Sequence, residues 1–120
     1  MLFLCYPKCS TCQKAKKWLD EHNVEYELRN IKDENPNKEE LKNWYEKSNV
    51  ELKKFFNTSG LLYKSMSLKD KLPDMGDNEK IELLATDGML VKRPLIIAED
   101  KVLIGFKEAE YEKYFANMNV

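Results

Sequence analysis

Apolar and polar positions at the start of the chain predict a strand, a helix and a second strand. Residues 2–6 form a short apolar run that ends at Pro7. From Ser10 to Asn23, apolar side chains recur at spacings of three and four, which is the period of an amphipathic helix. Residues 25–31 alternate as a half-buried strand does. The positions that carry these patterns are Cys12, Ala15, Leu19 and His22 in the helix, and Tyr26 and Leu28 on one face of the strand. Such a β-α-β unit builds a parallel sheet.

The middle of the chain, from about 35 to 90, is predicted to be a largely helical insert. Its expected elements are a helix capped by Asn37 with Glu40, a helical stretch over 51–56, a mixed loop with a short helix over 61–73, and a helix capped by Asn78 that runs to about residue 85. Residues 95–98 and 102–106 then form a hairpin pattern, and residues 108–116 a closing helix. The chain is therefore expected to be one α/β domain over 1–120, with βαβ and ββα halves around a mixed sheet.

Charge and length narrow the class of protein. The 120 residues include 20 basic and 21 acidic side chains, which gives a net charge of -1. No basic cluster points to a nucleic-acid binder, so we expect negligible binding to duplex DNA. No apolar run approaches the roughly 20 residues of a membrane span, and the apolar start lacks the basic residues of a signal peptide. We expect a monomer with no membrane association.

The three cysteines, Cys5, Cys9 and Cys12, lie within eight residues. An odd number so closely spaced is not the framework of a disulfide-stabilised secreted domain, which favours a reducing, cytoplasmic location. A zinc site would need a fourth ligand, and His22 is the one histidine, expected at the surface near the end of the helix. We therefore predict no metal. Cys5 is expected to be a core residue of the first strand.

Cys9 and Cys12 form a Cys-x-x-Cys motif between a strand and a helix. The N-terminus of a helix offers unpaired N–H groups and the positive end of the macrodipole, which favour a thiolate at Cys9. Cys12 lies one turn further on the same face, where it can attack a mixed disulfide formed by Cys9. Lys8 and Lys14 add positive charge nearby. We predict Cys9 as nucleophile and Cys12 as resolving thiol, with Cys9–Cys12 the only intramolecular disulfide and Cys5 poorly reachable.

Arg93 and Pro94 directly precede the apolar run 95–98. A proline there is a strand-entry proline, and on this evidence its preceding bond can be cis or trans. Arg93 alone would be an ordinary surface cation.

Residues 6–15 and 92–97 together resemble the arsenate reductase/Spx family, most closely its Spx-type branch with a Cys-x-x-Cys. The resemblance implies a thioredoxin-like fold with Cys9 as the redox nucleophile. It implies that Arg93 holds an anion or the thiolate and that Pro94 is cis and faces the cysteine. The predicted substrate-binding residues are Lys8, Ser10, Thr11, Arg93 and Pro94.

The family's arsenate reductases place three arginines around the oxyanion, and this sequence matches one of them with Arg93. Alignment to the family puts Asn57 and Gly105 at the other two positions. A multiply charged oxyanion needs several charge-assisted hydrogen bonds, so arsenate reduction is expected to be weak or absent.

Three functions stay open. The first is a thiol–disulfide oxidoreductase without a bound cofactor, recycled by thioredoxin or a low-molecular-weight thiol. The second is a redox-sensing regulator that, as the Spx-type branch implies, docks on the RNA polymerase alpha subunit. The extended basic tail of those regulators is not expected here, because the sequence ends at Val120. The third is arsenate reductase.

Overall fold

The computed structural model describes residues 1–116. The strands are β1 Leu2–Cys5, β2 Glu27–Asn30, β3 Leu95–Ile97 and β4 Val102–Ile104. The α-helices are α1 Ser10–Glu21, α2 Lys38–Ser48, α3 Leu61–Ser65, α4 Leu68–Lys71, α5 Asp77–Thr86 and α6 Glu108–Ala116. Short 3-10 turns cover Leu52–Phe55, Leu72–Asp74 and Gly88–Leu90. Among these residues, no helix is long and apolar enough to cross a membrane.

The four strands form one mixed sheet in the order β2-β1-β3-β4. β1 pairs in parallel with β2, so that Phe3 lies opposite Leu28, and in antiparallel with β3, so that Phe3 lies opposite Ile96. β3 and β4 form the predicted hairpin. The βαβ half and the ββα half therefore meet at the β1–β3 pair, which confirms the predicted thioredoxin-like architecture.

Successive side chains of each strand point to opposite faces, and the two faces carry separate cores. Phe3, Ile96 and Leu103 pack on one face against α1 and α6. Leu4 and Leu95 pack on the other face against the helical insert. The sheet is thus the middle layer, with helices on both sides.

Helix α1 buries Trp18 together with Cys12, Ala15 and Leu19. His22 is exposed, which confirms its expected place at the surface near the end of the helix. Its ring stacks on Trp18 at 3.8 Å between centroids. Trp18, which the spacing pattern did not include, takes the inward position in the last turns of α1.

β2 is shorter than predicted, and its expected inward face is wrong. Leu28 is 54% exposed on this edge strand. Tyr26 precedes the strand, packs edge-on against Phe3 and donates its hydroxyl to Asp20 at 2.7 Å. Four residues with one neighbouring strand are too few for alternation to identify a buried face.

In the insert, the start of α2 is capped as predicted: Asn37 accepts the N–H of Glu40 at 2.8 Å. The predicted cap at Asn78 is wrong. α5 begins at Asp77 with Gly76 as its N-cap, two residues before the predicted cap, and the N–H of Gly76 donates to the carboxylate of Glu79 at 3.4 Å. Residues 61–73 hold two short helices and part of a 3-10 turn, where we expected a loop with one short helix.

Backbone hydrogen bonds tie the insert to the segment that leads into β3. The N–H of Lys92 donates to the carbonyl of Phe55 at 2.7 Å, and the N–H of Asn57 donates to the carbonyl of Leu90 at 2.8 Å. These bonds hold Asn57 beside the approach to Arg93.

Candidate redox site

Cys9 stands at the N-cap of α1, with no hydrogen bond from its side chain to the helix. A tight turn brings the chain there: the N–H of Cys9 donates to the carbonyl of Tyr6 at 3.0 Å. The side-chain amide of Gln13 donates to the carbonyl of Pro7 at 2.8 Å and braces the turn. The half-buried thiol of Cys9 therefore sits at the positive end of the helix, as its sequence position predicts.

Cys12 is fully buried one turn into α1. Its Sγ accepts the N–H of Tyr6 at 3.3 Å. Hydrogen bonding to Cys5, followed by burial, raises the pKa of the Cys12 thiol far above its usual range. The expected difference in burial between Cys9 and Cys12 is confirmed.

Cys5 ends β1 and is 4% exposed, which confirms it as a core residue. The pleat of β1 turns Cys5 to the same face as Phe3, toward α1, where it shares a core with Cys12. Hydrogen bonding to Cys12 lowers the pKa of the Cys5 thiol, although burial opposes that effect. This burial agrees with the expectation that Cys5 is poorly reachable. The inward face of the strand and the inward face of the helix meet at Cys5 and Cys12, a proximity that the sequence did not indicate.

Cys5, Cys9 and Cys12 thus form a three-thiol cluster: Cys5 and Cys12 share one core, and Cys9 packs against it. Cys9 connects the cluster to the surface, while Cys5 and Cys12 are enclosed.

A cleft of about 670 Å³ opens beside Cys9. Its walls come from the first turn of α1, the segment 57–62, the segment 89–93 and the segment 104–107. Three cations line it: Arg93, Lys92 and Lys107. The cleft can therefore hold a small anionic molecule against the Cys9 sulfur.

Arg93 lines the cleft and is held there by Tyr6 and Met89. Its guanidinium carbon lies 5.3 Å from the centre of the Tyr6 ring, and Nη1 donates to the carbonyl of Met89 at 3.5 Å. Within residues 1–116, its buried Nε has no hydrogen-bond acceptor. The bond to Pro94 is cis, as the resemblance implied. A buried donor without an acceptor costs free energy. An anion that accepted a hydrogen bond from Nε would therefore be bound more tightly.

The other predicted substrate-binding residues divide into two groups. Thr11 lines the cleft with Cys9 and Arg93. Lys8 and Ser10 are exposed at the turn and at the start of α1, and Pro94 is buried behind Arg93; none of these three lines the cleft.

Lys92 and Lys107 are cleft residues that sequence reasoning missed. Lys92 could have been suspected as the neighbour of Arg93. The sequence around Lys107 does not indicate a site residue, because only the fold of the β3–β4 hairpin brings Lys107 to the cleft. Asn57 and Gly105, which align with the missing arginines, do line the cleft. Among the described residues, no cluster of histidine, cysteine and carboxylate side chains is suited to hold a metal ion.

The fold and the motif together define a thioredoxin-like thiol protein. Comparison with known proteins gives its family: the ArsC family model matches residues 4–114. The chain belongs to the ArsC family.

Two relatives of this chain come from Bacillus subtilis (strain 168). The uncharacterized protein YusI is 54% identical over 116 residues, which covers 97% of this chain and 98% of YusI. The regulatory protein MgsR is 31% identical over 113 residues, covering 94% of this chain and 88% of MgsR. Other matched relatives are named global transcriptional regulator Spx.

Solved structures agree with the fold. An ArsC-family-related protein from Bacteroides fragilis superposes with a TM-score of 0.91 at 61% identity, covering 93% of this chain and 94% of that one. A possible arsenate reductase from Streptococcus mutans UA159 gives a TM-score of 0.87 at 47% identity, covering 95% and 97%.

Proposed function

We propose that this protein is a thiol–disulfide oxidoreductase in which Cys9 attacks and Cys12 resolves. The observation that carries the proposal is the placement of the two thiols. Cys9 is half-buried at the N-terminus of α1 and lines the cleft, and Cys12 lies one turn behind it. No bound cofactor is needed, because the two cysteines hold both of the electrons that a disulfide takes up.

The reaction follows from this order. The Cys9 thiolate attacks one sulfur of a substrate disulfide, forms a mixed disulfide and releases the other half as a thiolate. Cys12 then loses its proton and attacks Cys9 Sγ, which forms the Cys9–Cys12 disulfide and releases the second half. The substrate is thereby reduced by two electrons. Thioredoxin or a low-molecular-weight thiol returns them to the protein.

The cleft favours small anionic substrates. Arg93, Lys92 and Lys107 place positive charge around the space beside Cys9. Disulfides of acidic peptides and acidic low-molecular-weight thiols fit this charge. Arsenate fits less well, because Asn57 and Gly105 stand where further arginines would bind the oxyanion. As a comparison substrate, arsenate is expected to turn over below about 1 s⁻¹, the low end of ordinary enzyme rates.

Trapping the mixed disulfide tests the proposal. A Cys12→Ser variant lacks the resolving thiol, so glutathione disulfide should leave one glutathione bound at Cys9, seen by intact mass and peptide mapping. Cys9→Ser is the matched control and should stay unmodified under the same conditions. Equal labelling of both variants would contradict the assigned roles.

A second candidate function is a redox-sensing regulator that binds the RNA polymerase alpha subunit. It is favoured by the relatives named regulatory protein MgsR and global transcriptional regulator Spx. Binding of the purified alpha subunit to the reduced and to the oxidised protein separates the two functions. A regulator would bind tightly in one redox state only, whereas an oxidoreductase with no such role would show no binding in either.

A further inference from the structure

We propose that Cys5 is a third redox-active thiol, and that Cys12 exchanges between a Cys9–Cys12 disulfide and a buried Cys5–Cys12 disulfide. The proposal rests on the thiol chemistry proposed above and goes beyond it, because the Cys-x-x-Cys motif does not include Cys5.

The backbone brings Cys12 close to Cys5. β1 ends at Cys5, and the next residue, Tyr6, donates its N–H to Cys12 Sγ at 3.3 Å. The Cys12 sulfur is thus held against the peptide that immediately follows Cys5. A disulfide needs Cα atoms within about 7 Å, which this placement allows.

The side chains of Cys5 and Cys12 lie on the same side of the sheet. Strand alternation puts Cys5 on the α1 side of the sheet with Phe3, and Leu4 on the opposite side. Cys12 is on the inward face of α1, in the same core. The two thiols therefore face each other across the joint between strand and helix.

The exchange involves no net oxidation. The Cys5 thiolate attacks Cys12 Sγ in the Cys9–Cys12 disulfide. The Cys5–Cys12 bond forms, the Cys9–Cys12 bond breaks, and its electron pair leaves on Cys9 Sγ. Cys9 takes up the proton that Cys5 has lost. The product keeps the oxidising equivalents in an enclosed disulfide and restores a free thiol at the cleft.

Burial gives the two disulfides different reactivity. Cys9 is reachable from the cleft, whereas Cys12 is fully buried and Cys5 is 4% exposed. An external thiol reaches the Cys9–Cys12 bond directly but must wait for exchange or local opening to reach the Cys5–Cys12 bond. Oxidised protein should therefore contain a fraction that small thiols reduce slowly.

Oxidation by one equivalent of diamide, followed by peptide mapping, tests the proposal. Diamide takes up the two electrons and two protons released when two thiols form a disulfide. Trypsin cleaves after Lys8 and Lys14, so a Cys9–Cys12 disulfide stays within residues 9–14, while a Cys5–Cys12 disulfide joins that peptide to residues 1–8. Cys9→Ser removes the ambiguity, since only Cys5 and Cys12 remain. It should lose both thiols and yield the joined peptides.

Two further variants keep the result interpretable. Cys5→Ala should form the Cys9–Cys12 disulfide alone, and Cys12→Ser, which lacks the shared partner, should keep both of its thiols. Near-ultraviolet circular dichroism, which reports packing around Trp18, checks that each variant is folded. If folded Cys9→Ser retains both thiols while Cys5→Ala is oxidised, the third-thiol proposal is wrong and the oxidoreductase stands. If Cys5→Ala also keeps its thiols, both fail.

Discussion

Of the three thiols, the sequence placed Cys9 and Cys12 correctly relative to the helix, but it did not indicate that Cys5 lies beside Cys12. The difference in burial between Cys9 and Cys12 could be predicted, because both their spacing and their place relative to the helix are local properties. The contact of Cys5 with Cys12 could not, although alternation indicates that Phe3 and Cys5 share a face. Which face of β1 meets α1 depends on the packing of the whole sheet.

Arg93 illustrates the same limit at the cleft. Its position beside a strand-entry proline, together with the family resemblance, was sufficient to predict it as a substrate-binding residue. Its partners were not predictable, since Tyr6 and Lys107 reach it or its cleft from other elements of the chain.

Replacing Arg93 should weaken recognition of anionic substrates. We expect Arg93→Met to raise KM for glutathione disulfide about tenfold, because a hydrogen bond to a charged group contributes about 1.5–3 kcal/mol and 1.4 kcal/mol is a factor of ten. The KM for 2-hydroxyethyl disulfide, which is neutral, should change far less. Steady-state kinetics with both substrates measures the difference.

Lys101→Met is the matched control for charge. Lys101 is exposed in the β3–β4 turn and does not line the cleft, so its loss removes one positive charge without touching the site. Equal effects of the two variants on KM, or equal effects of Arg93→Met on both disulfides, would show that Arg93 does not bind the anion.

Among the elements, the start of α2 is the best-determined helix boundary. Asn37 and Glu40 bond each other's backbone, at 2.8 Å and 3.1 Å, as their spacing predicts. The sequence did not indicate that Arg29, from β2, also binds both oxygens of Glu40, at 2.6 Å and 2.9 Å. Local capping chemistry can be read from neighbours in the chain, whereas this ion pair requires the sheet and the insert to be docked.

The Arg29–Glu40 pair should make stability depend on pH. The Arg29 guanidinium holds the pKa of Glu40 below its ordinary value of 4.5. A carboxyl whose pKa is lowered by folding contributes stability above its unfolded pKa and loses it as pH falls through the folded pKa. Glu40→Gln keeps the capping acceptor but loses the charge, so it should cost about 1–2 kcal/mol at pH 7. The difference from the wild type should disappear as pH falls well below 4.5.

Urea unfolding at several pH values measures this effect. Glu82→Gln is the control, because the Lys38–Glu82 pair is 62% exposed on both sides and should contribute less than about 1 kcal/mol. A Glu40→Gln deficit that stays constant down to low pH would mean that the carboxylate charge is not its cause.

At the scale of the whole molecule, the order of elements was predictable and their docking was not. Hydrophobic periodicity placed the βαβ half, the ββα half and a helical insert between them, and the observed element order and sheet confirm all three. The insert contacts the sheet through close backbone approaches that the hydrophobic pattern of the sequence does not predict. One of these is at Gly88, where a Cβ atom would overlap the carbonyl oxygen of Ile31.

Gly88→Ala should therefore push the insert away from the residues that follow β2. Because the obstacle is backbone and cannot rotate aside, we expect a loss of about 1–3 kcal/mol in the free energy of unfolding. Gly88 also begins the segment that ends at Arg93, so the same change should raise KM for glutathione disulfide. Urea unfolding, followed by the fluorescence of Trp18 and Trp44, gives the stability.

Gly76→Ala separates this contact from the general effect of replacing a glycine. The nearest atom to a Cβ there is a Glu79 carboxylate oxygen at 3.8 Å, so the change meets no backbone. Its cost should stay within about 1 kcal/mol, the loss expected for alanine at a helix N-cap. It should also leave KM unchanged, because Gly76 does not line the cleft. If Gly88→Ala were no more destabilising than Gly76→Ala, the Gly88–Ile31 approach would not be what holds the insert against the sheet, and the bonds that Phe55 and Asn57 make would have to suffice.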